Sequence, residues 1–474
     1  MGGALPETLK DDSMVGQGRI SNRIQAEEHT RMSKGFATKA VHDGYDCQSQ
    51  GGGAASVPIY QSAAFDMVTA DRGDALAAGE IQGFSYSRLA NPTVKVLEDR
   101  LASLEGGKGA VAMASGMAAV SSALMCAAEG GGRLISPVDL YGTSVDAMKT
   151  FFPNFGIETD FVDDINDLDT VESLIQDNTR AIFAESVANP STAIADIPGL
   201  ADLAHRHGLA LIIDNTVPTP YLLNPIDFGA DIVVHSTTKG ISGHGNALGG
   251  VIVDAGRFDW GNGRFPQMSQ PELIISDERH GSMVSFLDAF GKMAFLHRVH
   301  TKYLHTFGAV MSPFTAYLQL TGLETLAQRV AAEVKTAAIL ARHLLTIPQV
   351  ERVNYSGIPE GRHQGDADQQ DRLASTLLPK GVGTILSFKV KGGYEQVKRI
   401  VDSVHLMSYM PNIGDCRTLI VDPARITHRE VPGPYRLSAG VGDDLIRISV
   451  GLENPDDLIA DLDQAFAAAY PKTL

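Results

Sequence analysis

From about residue 96 to 255 the chain alternates short, near-continuous apolar runs with stretches whose apolar positions recur every three or four residues. That alternation predicts crossover units feeding a mainly parallel sheet, and apolar runs without a polar phase predict strands buried on both faces. The predicted strands are GAVAMA at 109–114, RAIFAE at 180–185, LALIID at 209–214, DIVVHS at 231–236 and LGGVIVD at 248–254. Between the second and third, ADIPGLADLAHRHG reads as a helix with Asp196 as N-cap, Pro198 in its first turn and Gly208 just past its end.

After residue 290 the apolar spacing lengthens into helices, one of them predicted from Gly322 through GLETLAQRVAAEVKTAAILARHLL. Two strand candidates follow, TILSFKV at 384–390 and IRISVGL at 446–452. A terminal helix is predicted with Asn454 as cap, Pro455 at its first position, and Leu458, Leu462 and Phe466 on one face. The glycine clusters at 51–53 and 130–132 lack the strand-turn-helix setting of a dinucleotide site and read as loops. The reading divides the chain into a polar extension over 1–32, an arm over 33–95, a catalytic unit over 96–292 and a smaller α+β unit over 293–474.

At 474 residues the chain exceeds what one hydrophobic core sustains, and 44% hydrophobic with 20% charged residues is the composition of an ordinary globular protein. A net charge of −17 repels nucleic acid and anionic lipid, so small molecules are the better partners. No run approaches the roughly 18 apolar residues of a membrane span. Residues 1–32 lack the apolar segment of a secretory signal, and Asp11, Asp12, Glu27 and Glu28 argue against a transit peptide. Three widely spaced cysteines, Cys47, Cys126 and Cys416, suggest neither a disulfide framework nor a zinc site, which fits a reducing cytoplasm.

Three stretches carry chemistry. In MASGMAAVSSALMCAA a strand gives way to a helix at Ser115, Gly116 and Met117; such a junction either is a plain cap or holds an anion on free N–H groups at the positive end of the helix dipole. Asp214 closes LALIID, where it either caps the turn through Asn215 and Thr216 or meets a ligand at the carboxyl edge of the sheet. In HSTTKG, Ser236 and Thr238 stand at alternate positions beside Lys239, which either reaches solvent or faces a ligand; glycines at 240, 243, 245, 249 and 250 clear space for close approach. Pyridoxal 5'-phosphate would use all three, because it needs a lysine for an imine, an acid beside its pyridine nitrogen and a cradle for its phosphate.

With YSRLANPT at 86–93, SGMAA at 115–119, LYG at 140–142, DNT at 214–216, HSTTK at 235–239 and IRISVGLE at 446–453, the chain resembles the trans-sulfuration family of pyridoxal-phosphate enzymes of cysteine and methionine metabolism, over about residues 36–470. The resemblance implies the type I transferase fold of the aspartate aminotransferase kind, a central, mostly parallel mixed α/β sheet flanked by helices with a smaller C-terminal α+β domain. It implies Lys239 as cofactor anchor and proton shuttle, Asp214 at the pyridine nitrogen, and Ser115, Gly116, Met117, Ser236 and Thr238 around the phosphate. Tyr86 and Arg88 would reach over from a neighbouring subunit, making a homodimer the smallest active unit and a homotetramer the expected assembly. Tyr141 would stack on the ring and help in proton transfer, Asn189 would bond the ring oxygen, and Arg447 would clamp the substrate carboxylate with Asn412 and Tyr86 nearby.

VPIYQSAAF at 57–65, GISGHGNALGGVIVD at 240–254, RFDWGN at 257–262 and FGAVMSPFTAYLQLTGLETL from 307 are similar to the branch acting on O-acetylhomoserine. That implies γ-replacement of an O-activated homoserine by sulfide or a thiol. A γ-lyase, or replacement by another nucleophile, is the alternative. Thr143 stands where methionine γ-lyases carry cysteine, Asp422 where the sulfhydrylases usually carry histidine, and Gly240 where a larger residue often follows the lysine. His244, between glycines, is read as a structural donor rather than a base.

Overall fold

The computed structural model describes residues 34–276, 283–358 and 367–471; the expected extension over 1–32 lies outside them. Seven strands form the first sheet: β1 Gly109–Met113, β2 Arg133–Pro137, β3 Glu158–Val162, β4 Thr179–Glu185, β5 Ala210–Asp214, β6 Ile232–His235 and β7 Gly250–Asp254. Their order is β1-β7-β6-β5-β4-β2-β3. Strands β3, β2, β4, β5 and β6 run parallel, whereas β7 is antiparallel to both β6 and β1. The sheet is therefore mixed, and all five strands expected from the apolar runs are present, four with slightly shorter bounds and β4 one residue longer.

Two strands escaped the pattern for identifiable reasons. In β3, ETDFV opens with three polar residues, as suits an edge strand that stays partly exposed. In β2, RLISP is short and ends in proline, which reads as a turn. The central strands behave as their composition demands, since β6 and β7 are buried along their whole length. Each Val, Ile or Leu so buried contributes roughly 1.5–3 kcal/mol relative to exposure.

Helices cover both faces. Helix α1 (Pro92–Glu105) is capped by Asn91, and α2 (Gly116–Ala128) by Ser115, whose side chain accepts from Ala118 N at 3.1 Å. Helix α3 (Ile197–Arg206) begins as predicted, Asp196 accepting from Gly199 N at 3.1 Å, with Gly208 in the left-handed region beyond its end.

The second sheet has the order β10-β11-β12-β9-β8, built from β8 Val350–Asn354, β9 Ile385–Val390, β10 Ser408–Tyr409, β11 Leu419–Val421 and β12 Leu445–Ser449. The terminal helix, Pro455–Ala469, buries Leu458, Leu462 and Phe466 as predicted.

The single helix expected from Gly322 is instead two: α4 (Pro313–Glu324) and α5 (Leu326–Leu344), broken at Thr325 with φ −110° and ψ 10°. The cause lies in tertiary contacts. A Cβ on Gly322 would stand 2.2 Å from Ser242 O, so α4 is pressed against the loop that follows Lys239. Arg329 in α5 donates to Gly322 O at 2.7 Å and to Gly240 O at 3.0 Å, binding helix corner and loop together.

Candidate active site

The carboxyl ends of β4, β5 and β6 open into one cleft with a volume of about 910 Å³ measured to its mouth. Strand β4 ends in Glu185 and β5 in Asp214, paired in register, so both carboxyl groups leave the same face of the sheet. Asp214 Oδ1 accepts from Thr216 N at 2.9 Å and from the Thr216 hydroxyl at 2.5 Å. Both bonds fall on one oxygen, which leaves Oδ2 for a ligand. Burial holds the Asp214 pKa above the ordinary carboxylate value despite those bonds.

After β6 the chain turns through Ser236, Thr237 and Thr238 to Lys239, whose Nζ donates to Asn412 Oδ1 at 2.6 Å. Burial, with the Arg447 charge added, lowers its pKa to about 8. Desolvation disfavours the ammonium, so a substantial fraction of neutral amine is present at physiological pH.

Arg447 lies in β12 and is 2% exposed. Its Nη1 donates to Asn189 Oδ1 and its Nη2 to Asn412 O, each at 3.0 Å, while Nε has no partner. Burial lowers its pKa to about 10. A buried guanidinium bonded only to neutral groups is electrostatically incomplete, and a ligand carboxylate would complete it in bidentate fashion. His428, behind it, is held neutral: burial and then Arg447 depress its pKa to about 4, and it bonds Leu140 O at 3.1 Å and Thr427 Oγ1 at 3.0 Å.

At the opposite wall α2 presents its N-terminus. The N–H groups of Gly116 and Met117 have no acceptor among the described residues, as the first positions of a helix require. A Cβ on Gly116 would meet Ser236 Cβ at 2.5 Å, so the helix start and the lysine loop are in direct contact only because residue 116 lacks a side chain. Together with a partly neutral buried lysine and an acid with a spare oxygen, this donor set fits pyridoxal phosphate.

The structure brings Ser115, Gly116, Met117, Tyr141, Asn189, Asp214, Ser236, Thr238, Lys239, Asn412 and Arg447 to the cleft wall. The Thr238 hydroxyl is partly committed, bonding Gly249 O at 3.2 Å and accepting from Gly249 N at 2.9 Å. Tyr86 and Arg88 do not line this cleft. Arg88 donates to His305 O at 2.7 Å and lies over the Tyr86 ring, itself 44% exposed. Thr143 bonds Glu430 Oε1 at 3.1 Å, and the Tyr409 hydroxyl donates to Asp422 at 2.6 Å; neither Thr143 nor Asp422 is in the cleft wall. Gly240 is tightly packed, with room for a Cβ only 2.8 Å from Thr219 Cγ2. His244 is exposed and donates from Nδ1 to Ser242 O at 2.6 Å, a structural contact.

Sequence reasoning missed Glu185 and His428, whereas the turn through Thr216 onto Asp214 is as expected. Glu185 closes the apolar run RAIFAE just as Asp214 closes LALIID, so the same argument applied one strand earlier would have found it.

A mixed sheet with a lysine, an acid and a helix N-terminus converging at the carboxyl ends of its strands defines a pyridoxal-phosphate site of the type I transferase kind. A family model described as Cys/Met metabolism PLP-dependent enzyme matches residues 37–467. The chain belongs to that family, and its cofactor is pyridoxal phosphate. It is 39% identical over 442 residues to a homocysteine synthase of Schizosaccharomyces pombe, covering 92% of this chain and 99% of the relative. With an O-acetyl-L-homoserine sulfhydrylase of Leptospira meyeri it shares 38% identity over 419 residues, covering 86% and 92%. A solved structure from Campylobacter jejuni, assigned as an O-acetylhomoserine (thiol)-lyase and carrying an N'-pyridoxyl-lysine-5'-monophosphate, superposes with a TM-score of 0.84 at 37% identity, covering 91% of this chain and all of that one.

Proposed function

We propose that this protein carries out γ-replacement on an O-activated homoserine, joining O-acetylhomoserine with sulfide or a thiol to give homocysteine or methionine and acetate. The observation that carries this reading is the cleft itself, where half-buried Lys239 and buried Arg447 stand with Asp214 and the α2 N-terminus around them. The names of the relatives support the choice of substrate.

When bound, pyridoxal phosphate supplies an aldehyde for the lysine and a protonated ring that withdraws electrons from the substrate carbons. Lys239 would hold it covalently, and its amine, poised near neutrality, would move protons at the substrate α and β carbons. Asp214 would hold the proton on the ring nitrogen through Oδ2. The N–H groups of Gly116 and Met117, with Ser115, Ser236 and the remaining capacity of Thr238, would hold the phosphate. Tyr141 would stack on the ring and Asn189 would bond its oxygen. Arg447 would fix the substrate carboxylate beside Asn412, aligning the γ-substituent with the incoming thiol. Tyr86 and Arg88 would complete the phosphate and substrate sites of a neighbouring subunit, so the active form would be a dimer or a tetramer of two dimers. Three unpaired cysteines are consistent with a cytoplasmic location.

Purified protein incubated with O-acetylhomoserine should form a thiol product only when sulfide is added. Release of 2-oxobutanoate and ammonia at the same rate without sulfide would instead establish elimination.

A further inference from the structure

Glu185 has no part in the roles above, yet it is the acid of the cleft that joins two separate segments. Its side chain is 9% exposed and lines the wall beside Asp214. Oε1 accepts from Tyr141 N at 2.7 Å and Oε2 from Asn189 N at 3.0 Å. Tyr141 precedes a short helix, Gly142–Asp146, and no side chain caps that helix. Asn189 lies in the loop after β4 and gives its Oδ1 to Arg447 at 3.0 Å. One carboxylate on a rigid strand therefore ties down two loops from opposite sides of the cleft. The first carries the exposed tyrosine, the second the asparagine on which the buried arginine rests.

We propose that Glu185 is a positioning residue that sets Arg447 for the substrate carboxylate by fixing the main chain at Asn189, and fixes Tyr141 relative to it. A carboxylate suits this task better than an amide. Both of its oxygens accept, whereas glutamine would turn an NH₂ toward one of the two N–H donors and leave that contact broken. Burial first, then the facing charges of Asp214 on β5 and Asp139 after β2, raise the Glu185 pKa well above the ordinary carboxylate value. The two backbone N–H bonds favour the ionised form that can hold both loops.

The inference rests on the proposed pyridoxal-phosphate chemistry and on Arg447 as carboxylate clamp, but its test does not require turnover. Cofactor-loaded wild-type and Glu185→Gln proteins would be titrated with two unreactive ligands, L-norvaline and butylamine, following the cofactor absorbance. The two ligands share an amine and a straight chain and differ in the carboxylate. The variant should still load cofactor, because Lys239 and the phosphate cradle lie on other segments. It should bind L-norvaline roughly tenfold more weakly, the scale of one charge-assisted hydrogen bond lost or misaligned, and butylamine as before. Equal loss for both ligands, no loss for either, or failure to load cofactor would each overturn the positioning role. If the wild type itself binds no α-amino acid, the functional reading fails rather than this inference.

Discussion

Replacing Gly116 by alanine tests the phosphate cradle at its tightest point. The new Cβ would lie 2.5 Å from Ser236 Cβ, 2.7 Å from its Oγ and 2.9 Å from its Cα, and the last of these is main chain and cannot rotate aside. Alanine is the better helix former by about 0.5–1 kcal/mol, while an added methyl in a packed contact costs about 1–3 kcal/mol. The fold should therefore survive with a net loss of about 1–2 kcal/mol, relieved by pushing the start of α2 away from the lysine loop. That displacement falls on the N–H groups of Gly116 and Met117. A hydrogen bond to a charged group contributes about 1.5–3 kcal/mol, so losing half of one such bond weakens phosphate binding by about tenfold. The assay is fluorescence titration of cofactor-free protein with pyridoxal phosphate and, in parallel, with pyridoxal. The variant should lose affinity for the phosphorylated form and keep its affinity for the other. Equal affinities of wild type and variant for pyridoxal phosphate would refute the placement of the phosphate at α2.

Two further outcomes follow from the charges. Imine formation needs the neutral amine, and the Lys239 pKa lies at about 8 rather than the ordinary lysine value of 10.5; the rate of cofactor uptake by cofactor-free protein should rise with pH and reach half its maximum near pH 8, and a midpoint above pH 10 would contradict the burial of this lysine. Arg88→Ala should lower cofactor retention on dialysis by roughly tenfold or more if its guanidinium completes a partner's phosphate site, and unchanged retention would confine Arg88 to its contact with His305 O.

The positions that carry the chemistry were legible where local rules and burial point the same way. Asp214 closes an apolar strand and Lys239 follows one by a short turn, and a charge at either point has nowhere to go but the edge of the sheet. The cap of α2 was legible for the same reason, since Ser115 both ends a strand and accepts from the first turn. Glu185 was passed over although it closes RAIFA just as Asp214 closes LALII. The register with Asp214 and the return of Asn189 N to its carboxylate put it in the cleft. The break at Thr325 was illegible in principle. Nothing in the spacing of GLETLAQRV signals it, because it arises from Ser242 O pressing on Gly322 and from an arginine recruited by carbonyls more than eighty residues away. The strands β2 and β3 failed on their own terms, one ending in proline and the other too polar to announce itself.

The clasp formed by Arg329 has a bearing on how this scaffold could be recombined. Its guanidinium joins carbonyls of Gly240, Ile241 and Gly322, so the long helix of the C-terminal half and the segment bearing the reactive amine share a single rivet. A chimaera that exchanged everything beyond residue 293 for the equivalent half of a relative would sever that fastening unless the incoming helix corner offered both a glycine and an arginine at the same separation. Crossovers in this protein should therefore be placed before residue 236 or after residue 344, keeping loop and helix from one parent.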